Sequence, residues 1–118
     1  MSADPAEALK HRLRADIKAA MQARAADETR LLRALLAAID NAQAVPVAPG
    51  QSALPNSFGD GASEVPRLAL TESALRAVLT AEIAERERAA EAIAAHGRPD
   101  EAERLRAEAA IVQRYLPA

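Results

Sequence analysis

The sequence predicts an all-α protein, a four-helix bundle of two antiparallel helical hairpins joined by a long irregular loop. Three observations predict it. Apolar residues recur at helical spacing in four separate stretches. Capping residues, prolines and a glycine bracket those stretches where helices start and stop. Alanine supplies 32 of the 118 residues, and alanine has the best helix propensity and lets helices approach closely. Only 27 larger apolar side chains remain, with one Phe and one Tyr as the aromatics. The expected core is therefore thin and closely packed, with no large ligand cavity.

The first hairpin is placed at residues 4–42. Asp4 is the expected N-cap, Pro5 the first helical residue and Glu7 the partner in a capping box. Leu9, Leu13, Ile17, Ala20 and Met21 then follow at helical spacing to about Arg24. Asp27 is the expected cap of a second helix carrying Leu31, Leu32, Leu35, Leu36 and Ile39 and reaching roughly Asn41. The short link between them makes the two helices antiparallel neighbours.

Residues 43–70 change in character, with Pro46, Pro49, Pro55, Pro66 and three glycines but no periodic pattern. This composition reads as a mobile insertion, with Phe58 as the residue suited to pin it to the bundle. The second hairpin is placed at residues 71–117. Thr71 caps its first helix, whose stripe is Leu75, Val78, Leu79, Ile83, Ala90 and Ile93. His96-Gly97 ends that helix, Gly97 being suited to a left-handed C′ position. Pro99, Asp100 and Glu101 start the last helix, whose stripe is Ala102, Leu105, Ala109, Val112 and Leu116.

Composition narrows function. A chain of 118 residues suits one domain, and its net charge of −2 argues against an unaided, sequence-indifferent nucleic-acid binder while leaving room for a local basic face. The absence of cysteine excludes disulfides and thiolate chemistry. No stretch opens the chain as a signal sequence, and no apolar run is long enough to span a bilayer, so the expected location is the cytoplasm, away from membranes. His11 and His96 have no second ligand at helical spacing, so no metal site is expected. Phosphate loops and nucleophile elbows are also missing, and no cofactor is implied.

Two sets of charges stand out. Asp16 lies on the apolar face of the first helix, and Glu82 and Arg86 on that of the third. Charges so placed fit either a functional pocket with shifted pKa values or an inter-helix ion pair. With no nucleophile nearby, the ion pair is the expected reading, with the three groups touching one another or nearby backbone and setting the register of the first and third helices. The second set is basic: Lys18, Arg24, Arg30 and Arg33 are candidates for nucleic-acid contact, since exposed guanidinium groups hold phosphates in a bidentate way. A solvated, salt-bridged surface is the alternative for each of them. On the last helix, Ile111 and Tyr115 lie off the main apolar stripe and form a candidate partner surface.

The second hairpin resembles the GatB/YqeY family in the positions of Glu82-Ile83, Arg86, Gly97-Arg98, Asp100, Glu108 and the closing Tyr115-Leu116-Pro117. In the first hairpin, Asp16, Lys18, Ala20-Met21, Leu32-Arg33, Leu35, Ala38-Ile39 and Asn41-Ala42 are similar to the family's opening signature. The resemblance implies a helical domain like the tail of the tRNA-dependent amidotransferase B subunit, which helps recognise tRNA at a distance from the catalytic centre. Family members usually continue past Tyr-Leu-Pro into a smaller helical subdomain, whereas this sequence stops at Ala118, and their connection between hairpins is shorter.

The leading expectation is a non-catalytic accessory domain with tRNA as its partner. A protein-interaction or self-associating module, acting through the last helix, is the second expectation. The third is the family-level label of carbon–nitrogen ligase with glutamine as amido donor, for which the sequence supplies neither a nucleophile nor a nucleotide site.

Overall fold

A computed structural model describes residues 4–44 and 68–117. They form four helices: α1 (Pro5–Gln22), α2 (Ala26–Gln43), α3 (Glu72–Ala95) and α4 (Pro99–Gln113). No strand occurs among the described residues. Phe58 and most of the expected loop lie outside them.

Several local signals act as expected. The Asp4 carboxylate accepts from the backbone N–H groups of Ala6 and Glu7, with Pro5 opening α1. The Thr71 hydroxyl accepts from Ala74 N–H at 3.0 Å. Gly97 adopts φ 78° just after α3. Asp27, however, does not cap α2. Ala25 occupies the N-cap position with no side-chain bond, and its carbonyl accepts instead from the backbone N–H and the hydroxyl of Thr29, each at 2.9 Å. The physical reason lies in the preceding turn: Ala25 N–H reaches back to Ala20 O at 2.9 Å, so α2 already opens at Ala26 and Asp27 falls inside its first turn.

The hairpins pack α1 on α2 and α3 on α4, and both α1 and α2 lean on α3. Leu13, Leu32, Leu35, Ile39, Leu79 and Val112 are fully buried in one core drawn from all four helices. Burial of an aliphatic side chain of this size is worth roughly 1.5–3 kcal/mol. Along the far part of the second hairpin the seam is made of Ala90, Ala102 and Ala109, all buried. The small side chains let α3 and α4 approach closely there.

One buried cation was not anticipated. The Lys10 side chain is 3% exposed, and its ammonium group lies 3.1 Å from Glu7, 3.0 Å from Asp40 and 2.7 Å from Gln43 Oε1. The sequence did hold a signal, since Lys10 sits four residues after Ala6 and three before Leu13, on the buried stripe. Gln43 is buried as well and extends α2 two residues beyond the expected end. Its carbonyl accepts from Leu68 N–H at 2.8 Å, and its side-chain amide donates to Leu68 O at 3.3 Å. The segment leaving α2 and the one approaching α3 are thereby joined at one point.

Candidate functional site

Residues 20–25 close α1 in a Schellman turn. Arg24 N–H donates to Met21 O at 3.0 Å and Ala25 N–H to Ala20 O. The turn requires a left-handed residue at its C′ position, and Arg24 supplies it with φ 60°. Glycine is the usual residue there because it has no Cβ to clash. Nothing in the sequence announced this turn.

The turn assembles a groove of about 520 Å³ at the tip of the first hairpin. Met21, Ala25 and Ala26 provide an apolar floor, and Arg24, Arg30 and Arg33 stand around it. No carboxylate lines it. Met21 is 52% exposed, although its spacing had placed it with the core stripe of α1. It falls in the last helical turn, where Arg33 of α2 reaches across to its sulfur at 3.4 Å. Arg30 lies 3.1 Å from Asp27, with both side chains exposed, so that pair contributes little and is readily exchanged. Three of the four proposed basic residues thus share one groove. Lys18 is exposed farther back along α1 and does not line it.

The proposed trio of Asp16, Glu82 and Arg86 is divided by the structure. Arg86 donates to Glu82 at 2.8 Å and to Glu108 at 3.2 Å, bridging α3 to α4. Its side chain is 14% exposed, and it also donates to the Glu82 carbonyl at 3.0 Å. Asp16 does not join them. It accepts instead from the hydroxyl of Tyr115. The reason is rotational: helical spacing puts Glu82 and Arg86 on the side of α3 that meets α4, while Asp16 faces the chain that leaves α4. The register fixed by Arg86 is therefore that of α3 on α4.

Tyr115 is likewise not part of an exposed strip. It is 8% exposed, and Ile111 is partly buried against the core. The Arg12 guanidinium lies over the Tyr115 ring, 4.5 Å from its centroid, and donates to Arg114 O at 3.3 Å. Arg76 donates to Pro117 O at 3.0 Å, so α1 and α3 both hold the Tyr-Leu-Pro segment. Burial raises the phenol pKa of Tyr115, with the hydrogen bond to Asp16 and its negative charge adding to the rise and Arg12 and Arg114 opposing it. Asp16 and Tyr115 together form a latch between the hairpins.

Among the described residues, no group of three or more His, Asp or Glu side chains is placed to hold a metal ion. No helix of the described residues is long and apolar enough to cross a membrane.

Two helical hairpins closed by a buried tyrosine latch define a small all-α domain. The family model described as Yqey-like protein matches residues 60–118, half of the chain, and the chain belongs to that family. The matched stretch takes in α3, α4 and the Tyr-Leu-Pro segment, including Arg86, Glu108 and Tyr115. The groove around Arg24 lies outside it. No curated protein and no solved structure matches the chain.

Proposed function

We propose that the chain is a non-catalytic accessory domain that recognises tRNA through the tip of its first hairpin. One observation carries this reading: Arg24, Arg30 and Arg33 surround a single open groove that no carboxylate lines, in a chain whose net charge is −2. A basic face on an acidic protein gives a one-sided electrostatic footprint suited to a phosphate backbone. The relation of the family to the tail of the tRNA-dependent amidotransferase B subunit supports the choice of RNA. The proposal assigns the chain recognition and no bond-making step.

The test is a filter-binding titration of the full chain with bulk tRNA at low and moderate salt. Binding should weaken as salt rises, and Arg33→Ala should weaken it further and reduce the salt slope by about 1. Binding insensitive to salt, or unchanged by Arg33→Ala, would refute the assignment.

A further inference from the structure

The groove at the hairpin tip has two chemically different parts, and together they describe a ligand more specific than a polyanion. We infer that it seats one unpaired nucleotide of an RNA chain, the base lying on Met21 and Ala25–Ala26 and the phosphate held by Arg24 and Arg33. This rests on the RNA reading of the same tip given above.

Arg24 carries the first part of the argument. The second hairpin makes the same turn: Gly97 N–H donates to Ala94 O at 3.0 Å and Arg98 N–H to Ile93 O at 3.2 Å, with glycine at the left-handed position. The turn itself needs no side chain there. An arginine in that seat bears backbone strain that glycine would avoid, and strained residues of this kind cluster at ligand sites. No ion pair holds the Arg24 or Arg33 side chain among the described residues, whereas Arg30 is engaged by Asp27.

Met21 carries the second. It is the more exposed of the two large apolar side chains that are exposed among the described residues, and it lies on the groove floor beside these guanidinium groups. A phosphate alone would gain nothing from a thioether floor. A base offers a flat apolar face that stacks on such surfaces and on guanidinium planes, with its phosphate one covalent step away. The groove volume falls within the ordinary range for a small organic ligand. Bases in a duplex have both faces covered by their neighbours, so the groove should discriminate between single and double strands.

The experiment compares a labelled single-stranded RNA with the same sequence in a blunt duplex, by fluorescence anisotropy on the full chain at one salt concentration. Single strand should bind at least about fivefold tighter, as expected for one stacked base. Met21→Ala should abolish that preference while the salt dependence of bulk tRNA binding persists. Arg24→Gly should weaken single-strand binding while raising the melting temperature, a combination a purely structural arginine would not give. Equal affinity for both RNA forms, or Arg24→Gly without effect on binding, would overturn the nucleotide seat and leave the tRNA reading standing. Loss of salt-dependent tRNA binding altogether would remove that reading too. Tighter binding to an acidic peptide than to either RNA would give the groove to a protein partner instead.

Discussion

The two hairpins solve the same geometrical problem with different materials. Each ends its first helix in a Schellman turn with matching hydrogen bonds, yet one places Arg24 in the left-handed seat and the other Gly97. The first hairpin is held by large aliphatic residues, among them Leu13, Leu32, Leu35 and Ile39. The second buries Leu75, Leu79, Ile83 and Val112 and adds a seam of alanines and the Arg86 bridge to Glu82 and Glu108. The first hairpin carries the strained turn, which presents an arginine. In the second hairpin the turn is relaxed and a partly buried ion network bridges α3 to α4.

The comparison can be broken most severely at Arg86. Arg86→Ala should leave two carboxylates facing each other in a poorly solvated seam and cost about 3 kcal/mol in urea unfolding. Arg104→Ala, at an exposed site of the same helix pair, should stay within about 0.5 kcal/mol of the parent. Equal losses from the two would mean that the alanine seam holds α3 on α4 without the bridge.

The latch between the hairpins comes next. Tyr115→Phe removes a hydrogen bond to the Asp16 carboxylate and should cost about 1.5 kcal/mol at neutral pH. Because the folded state raises the phenol pKa, the stabilisation is complete below the ordinary value of about 10 and is lost as pH climbs through the higher folded value. Stability should therefore decline from about pH 10 upward in the parent, and the phenylalanine variant should lack that component. Tyr115 is the sole tyrosine, so tyrosinate absorbance follows this one group directly.

The turns themselves give the smaller effects, of opposite sign. Gly97→Ala meets no atom within 4 Å of the added Cβ, so its cost is backbone strain alone, about 1 kcal/mol. Arg24→Gly should gain about 0.5–1 kcal/mol, read as a rise in melting temperature. If both substitutions destabilised, Arg24 would be contributing to the fold and its strain would need another explanation.

Much of the fold was legible in the sequence, and the reason is local. Asp4, Thr71 and Gly97 act on their own backbone neighbours, and helical periodicity reports which face is apolar. Partners across helices were less legible. The spacing put Asp16, Glu82 and Arg86 on apolar faces, but periodicity does not specify which neighbouring helix each face meets. Asp16 consequently found Tyr115, and Arg86 found Glu108. Arg24, Arg30 and Arg33 could be picked out by residue type, whereas the groove that gathers them depends on a left-handed arginine that no glycine or asparagine signalled. Burial of Lys10 and Gln43 was readable in part from the stripe they occupy. Their mutual bond, spanning two helices, was not.

The pairing of Gln43 with Leu68 has a consequence for how the domain tolerates change. The bundle is closed at a fixed doorway, with Lys10 as its bolt on the side of the first hairpin. Closing a flexible loop across such a doorway costs entropy that grows slowly with its length, about 0.6 kcal/mol for each doubling. The meeting of α2 with the approach to α3 is thus set by the Lys10 and Gln43 side chains and one backbone pair, and not by the length of chain closed across it.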